Sequence, residues 1–262
     1  MEEAMIKEID LNADIGEGFG NYAMPHDEAI MALITSANIA CGFHAGDPVI
    51  MRKTVALAKK WGVAIGAHPG LPDLMGFGRR VMDVNPEEIK SYLIYQVGAL
   101  KAFAETEGLK LHHVKPHGAF FRSTKANEAQ ARAMVEAFKE IDSQLAIYCP
   151  APLDVYHPTL AKVAAEMGVR IIPEFYAHLG YTSKGSLVPP RVSELESTPT
   201  AIGERVLRFL KEGKVVTNEG TEVSFGALSV CIHSDNPHAI EMLKAIHEIL
   251  GKAGIAIKPV SL

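Results

Sequence analysis

The sequence predicts an α/β fold, with one domain over 1–262 whose strands and helices alternate and close into a barrel. Three observations carry this. Short runs rich in Val and Ile alternate, to the end of the chain, with longer segments whose apolar residues recur every three to four positions. That order implies parallel pairing, because a parallel neighbour is reached only through a crossover, and helices then cover the sheet. Polar residues also fall at the ends of nearly every strand, whereas an open doubly wound sheet gathers its site at one switch point.

The expected strands are 8–13 (EIDLNA), 37–42 (ANIACG), 63–68 (VAIGAH), 111–116 (LHHVKP), 145–149 (LAIYC), 169–175 (VRIIPEF), 227–233 (ALSVCIH) and 254–259 (GIAIKP). Seven or eight mostly parallel strands follow. Helices fill the intervals, and four starts are marked by a capping side chain before proline: Asp47-Pro48, Asn85-Pro86, Thr198-Pro199 and Asn236-Pro237. The longest stretch without periodicity is 176–200, and a connection of that length is usually functional, here as a lid.

Composition narrows the partners. With 26 Lys plus Arg against 31 Asp plus Glu, the net charge of -5 lacks the basic footprint of a nucleic-acid binder. No run reaches the roughly 18–20 apolar residues of a membrane span, and the opening 1–7 is acidic and short, unlike a signal peptide, so a cytoplasmic enzyme is expected. Cys41, Cys149 and Cys231 make no C-x-x-C pair and lie in expected strands, which suits buried thiols rather than disulfides or a Cys-rich metal site.

The chemistry concentrates at strand ends. In DLNADIGEGFG, Asn12, Asp14 and Glu17 accompany Gly16 and Gly18, and such a loop either makes a turn or turns its N–H groups onto a phosphate or carboxylate. It matches no standard nucleotide motif. In NIACGFHAGDP, Asp47 suits a helix cap, while His44 has no evident packing role. His68 ends an apolar strand in GAHPG. In HHVKPHG the side chains of His113, Lys115 and His117 share one strand face, where a lysine pointing into a barrel requires an acid or a ligand. Glu174 ends the sixth strand, and His233 with Asp235 the seventh. The eleven histidines allow a divalent ion, yet no H-E-x-x-H or H-x-x-x-H spacing marks one, and a bound metal is not favoured.

Taken in order, DLNADIGEG, ANIACGFHAGD, GAHPGLPD with GFGRR, VKPHG, GSLVP with a nearby arginine, and CIHSD resemble the LamB/YcsF family from about Ile9 to Val260. The resemblance implies a distorted (β/α) barrel of the glycoside hydrolase/deacetylase type. It also implies the A component of an ATP-dependent 5-oxoprolinase, which opens 5-oxo-L-proline to L-glutamate with separate B and C subunits. Two departures stand out: EFYAHLGY places His178 and Leu179 where the family has Asp and Arg, and SLVPPR carries an extra Pro190 before Arg191. Both fall in the expected lid, where they bear on which lactam is bound.

Lactam activation by phosphorylation needs cations, an acid or base, and donors to a developing anion. The expected catalytic set is Asp14, His44, His68, Lys115, His117, Glu174 and His233. Asn12, Gly16, Glu17, Gly18, Asp47, Arg79 and Arg191 are expected to bind substrate or phosphate. ATP with Mg2+ is the expected cofactor, 5-oxoproline or a related small lactam the ligand, and self-association remains open. The rival readings are a metal-dependent amidohydrolase or deacetylase on the same barrel and a non-catalytic substrate-binding subunit.

Overall fold

The computed structural model describes residues 6–24, 26–125, 127–188 and 198–262. Strands β1 (Glu8–Ile15), β2 (Ser36–Ala40), β3 (Ala64–His68), β4 (Leu111–Val114), β5 (Ala146–Pro150) and β6 (Ile171–Tyr176) lie side by side in chain order, each parallel to the next. A hairpin of β7 (Lys214–Val216) and β8 (Glu222–Ser224) stands apart, and β9 (Ser229–Cys231) closes the ring between β6 and β1. Ser229 is the closing residue, opposite Glu174 on one side and Asp10 on the other. The expected α/β barrel is therefore a closed ring of seven parallel strands.

The expected eighth strand differs. β10 (Ala256–Ile257) pairs in parallel with Glu8 and Ile9 only, beneath the stretch Asp10–Asn12 that β9 occupies. β1 is eight residues long and serves two partners in succession on one edge, so β10 adds to the ring's lower end without becoming part of its wall. The β7–β8 hairpin escapes the periodicity argument because its strands have three residues each around the Gly220 turn.

Outside the ring lie α1 (Asp27–Met31), α2 (Pro48–Trp61), α3 (Pro86–Thr106), α4 (Ala119–Ser123), α5 (Glu128–Ile141), α6 (Leu153–Tyr156), α7 (Pro158–Glu166), α8 (Pro199–Glu212) and α9 (Ala239–Lys252). Three of the four expected starts hold: Asp47 accepts from the Val49 and Ile50 amides, Asn85 makes a full capping box with Glu88, and Thr198 accepts from Ala201. Asn236 is not a cap. Its side chain takes the His238 amide in a turn, and α9 begins only at Ala239, because two further turn residues intervene. Among the described residues no helix is long and apolar enough to cross a membrane.

Period-2 alternation divides the strands into two faces. Ile9, Leu11, Ala13 and Ile15 of β1 face the helices and join the main apolar core, while Asp10, Asn12 and Asp14 point inward. The barrel interior is consequently a stack of polar layers. At the lower level the Asp10 carboxylate accepts from Thr35, Ser36, Tyr148 and Ser229. Burial raises the Asp10 pKa, and those hydroxyls oppose the rise. One level up, Asn12 donates to Glu174 at 3.0 Å and Ser229 at 2.7 Å while accepting from Asn38 at 2.8 Å. Such buried groups are tolerated because they satisfy one another. The third level opens into the site.

Candidate active site

Asp14, the last inward residue of β1, is the hub. Its Oδ1 accepts from Lys115 Nζ at 3.0 Å and from Asn38 Nδ2 at 2.9 Å, while Oδ2 lies 3.5 Å from His68 Nε2 and 3.8 Å from His233 Nε2. Burial alone would favour the protonated acid; His68, Lys115 and His233 outweigh it and hold the carboxyl well below its usual range.

Lys115 extends from the end of β4 across the barrel. It is 2% exposed and also meets Glu174 Oε2 at 3.2 Å, Asn12 Oδ1 at 3.3 Å and Cys231 Sγ at 3.2 Å. Burial disfavours the ammonium, but Asp14 and Glu174 overcome it and keep the group charged. Glu174 sits one layer below the rim; burial pushes its carboxyl up to about 7 against the pull of Lys115. Its Oε1 has no partner among the described residues.

Four further groups converge beside this pair. His68 ends β3, His117 follows β4, His44 comes from the β2–α2 loop, and Glu17 from the loop after β1. The His44 and His117 rings stack at 3.8 Å, His44 Nε2 is 3.1 Å from Glu17 Oε1, and His117 Nδ1 is 2.9 Å from His68 Nε2. The four donor atoms lie within 4.8 Å of one another, so this buried cluster could hold a metal ion. Burial drives all three imidazoles toward the neutral form, His68 to about 3. The glycines nearby are shaped by contact: a Cβ on Gly70 would come within 2.4 Å of His44 Nδ1, and Gly78, at φ +62°, packs against both His44 and His117.

A cavity of about 610 Å3 opens above, with Asp14, His68, Lys115, His117 and His233 on its floor. Its walls are partly apolar, from Phe77, Phe121, Tyr156, Leu179 and Leu187. Arg79, Arg80 and Arg122 stand along the mouth; Arg79 faces Asp235 at 3.6 Å, while Arg80 is bound to Asp73. Leu179 lines this space, and His178 packs edge-on to His233 behind it.

The expected site residues are thus sorted by place. Asp14, His68, Lys115, His117 and His233 share one floor; His44, Glu17 and Glu174 lie directly behind it. Asn12 is turned into the barrel with its amide fully engaged. The glycine loop does not face the cavity. Gly16 N donates to Asp27, Gly20 N to Asp47, and Gly18 is needed because a Cβ there would fall 2.6 Å from the Tyr22 carbonyl oxygen. Gly16 and Gly18 therefore act as turn and contact residues, and Asp47 ties that loop to α2. Arg191 and Pro190 lie outside the described residues. Asp10, Asn38, Tyr176 and Cys231 belong to the polar interior or the floor and escape the sequence reading, although the alternation of Asp10, Asn12 and Asp14 opposite Ser36 and Asn38 signals an inward polar face. The three cysteines are buried and unpaired, as expected.

Comparison with known proteins agrees with this architecture. The chain is 45% identical over 252 residues to the 5-oxoprolinase A subunit of Pyrococcus horikoshii, spanning 96% of this chain and 97% of that protein. It is 43% identical over 256 residues to the 5-oxoprolinase A subunit of Bacillus subtilis, spanning 97% of each. The crystal structure of a lactam utilization protein from Thermus thermophilus superposes with a TM-score of 0.87 at 42% identity, covering 97% of this chain and 100% of that one. The profile of the LamB/YcsF family matches residues 9–262, and the chain belongs to that family.

Proposed function

We propose that this chain is the A component of an ATP-dependent 5-oxoprolinase, and that its barrel mouth holds 5-oxo-L-proline while the ring is opened to L-glutamate. The relatives' names support the reaction, and one observation ties it to this chain: Asp14, paired to buried Lys115, faces His233 at the floor of the cavity. A lactam is a poor electrophile. Attack of its oxygen on the γ-phosphorus of ATP releases ADP and leaves an imidate phosphate; one water adds to that carbon and the ring C–N bond breaks, freeing the amine and leaving a γ-acyl phosphate, which a second water hydrolyses to the carboxylate and phosphate.

In this reading His233, the more exposed of the floor histidines, takes the proton from water, and Asp14 orients it and stabilises its charged form. Lys115 fixes Asp14 and supplies positive charge where negative charge develops. Arg79 and Arg122, at the mouth, suit a carboxylate or phosphate. Leu179 and His178, against the cavity and His233, set the fit of the lactam ring. Partner B and C subunits complete the enzyme, since the chain carries no standard nucleotide motif.

Reconstitution tests this. The chain mixed with B and C subunits should release glutamate from 5-oxoproline only with ATP and Mg2+, and alone should turn over neither substrate. Turnover by the isolated chain, or complexes indifferent to its presence, would refute the assignment.

A further inference from the structure

The pair His68–His117 presents a local contradiction. His68 Nδ1 lies 2.6 Å from the Lys115 carbonyl oxygen and His117 Nε2 lies 2.8 Å from the Phe77 carbonyl oxygen. A carbonyl only accepts, so each of these nitrogens carries the ring proton. That leaves lone pairs on His68 Nε2 and His117 Nδ1, which face each other at 2.9 Å with no hydrogen between them. Two acceptors at that distance repel unless a cation joins them.

The surroundings supply the rest of a coordination shell. Glu17 Oε1 lies 3.1 Å from His44 Nε2, 3.9 Å from His68 Nε2 and 3.9 Å from His117 Nδ1, and among the described residues these imidazoles are its ion-pair partners. Four ligands at about 2.0–2.1 Å from a tetrahedral zinc ion stand roughly 3.3 Å apart, and the observed separations bracket that value. Outer acceptors for His68 and His117 are the arrangement that fixes the tautomer of a metal-binding histidine. His44 has no such acceptor and is held instead by stacking on His117.

We propose that Glu17 Oε1, His44 Nε2, His68 Nε2 and His117 Nδ1 bind one divalent first-row ion of the zinc type. Three nitrogens and a single carboxylate suit such an ion and not Mg2+ or Ca2+, which take oxygen ligands. The ion ties together the loop after β1, the β2–α2 loop, the end of β3 and the turn after β4, at the cavity floor that His68 and His117 line. This site stands apart from the lactam reading, which uses none of the four as acid or base.

Elemental analysis of the purified full chain, after dialysis against trace zinc, is the test, with Co2+ replacement as a second measurement on the unaltered sequence. Expected are one ion per chain, a melting temperature lowered by chelation and restored by Zn2+ but not by Mg2+, and the visible absorption of four-coordinate Co2+. His44→Gln combined with His117→Gln should lose the ion. Substoichiometric metal with a melting temperature indifferent to Zn2+ would overturn the proposal and leave a shared proton between the two rings. Retention of a full equivalent by the folded double variant would overturn it as well.

Discussion

Replacing Lys115 by Met removes the cation that two buried carboxylates face, at 3.0 Å from Asp14 and 3.2 Å from Glu174. Breaking a buried pair by deleting one partner costs about 3–5 kcal/mol, because the remaining charge stays desolvated. For a chain of this size each kcal/mol lowers the melting temperature by roughly 2–4 °C, so Lys115→Met should melt about 6–20 °C lower. Glu174, already at about 7, then stays protonated at neutral pH and absorbs part of the loss, which leaves Asp14 as the exposed weakness. Urea unfolding of Lys115→Met, Asp14→Asn and the double variant isolates that term. The double variant should lose less than the sum of the singles by about 2 kcal/mol. Additive losses to within about 0.5 kcal/mol would refute the view that the lysine's burial rests on Asp14.

Glu174→Gln should gain stability on the wild type as pH rises from 5 to 8. A carboxyl raised from its ordinary 4.5 to about 7 contributes fully when protonated below pH 4.5 and loses that contribution as pH passes 7, a change of about 3 kcal/mol read from denaturation midpoints across that range. A constant difference between the two proteins would place Glu174 in the charged state throughout. Asp47→Ala should cost about 1 kcal/mol of stability and leave turnover by the assembled enzyme nearly unchanged, since its oxygens serve α2 and the Gly20 amide. His178→Asp with Leu179→Arg should change relative rates across a panel of small lactams, and equal ratios before and after would leave both residues as wall packing.

Local physics makes some features readable and hides others. Asp47, Asn85 and Thr198 are visible because a cap and the proline after it form within four residues, whereas Asn236 has the same signature but is diverted into a turn before α9. The inward face of Lys115 and His117 follows from period 2. The polar interior is implicit in Asp10, Asn12 and Asp14 alternating with apolar neighbours, but an alternating strand normally turns its polar side to water, and only ring closure reverses that. Glu17, His44, His68 and His117 come from three separate loops and the end of β3, so their convergence has no spacing motif to find. In the glycine loop the Gly16, Phe19 and Gly20 amides donate to Asp27, Tyr22 and Asp47, a choice made by tertiary contacts that no local pattern reveals.

Asp14→Asn in the reconstituted enzyme offers the sharpest single reading of where the lactam is opened. The substitution keeps shape and the Asn38 contact region while removing the charge that faces Lys115 and His233. ATP-dependent glutamate release, measured on complexes shown to be fully assembled, should fall about a hundredfold or more. Release within about threefold of the wild-type rate, too little to represent a lost acid–base or electrostatic contribution, would contradict the placement of the chemistry at the mouth of this barrel.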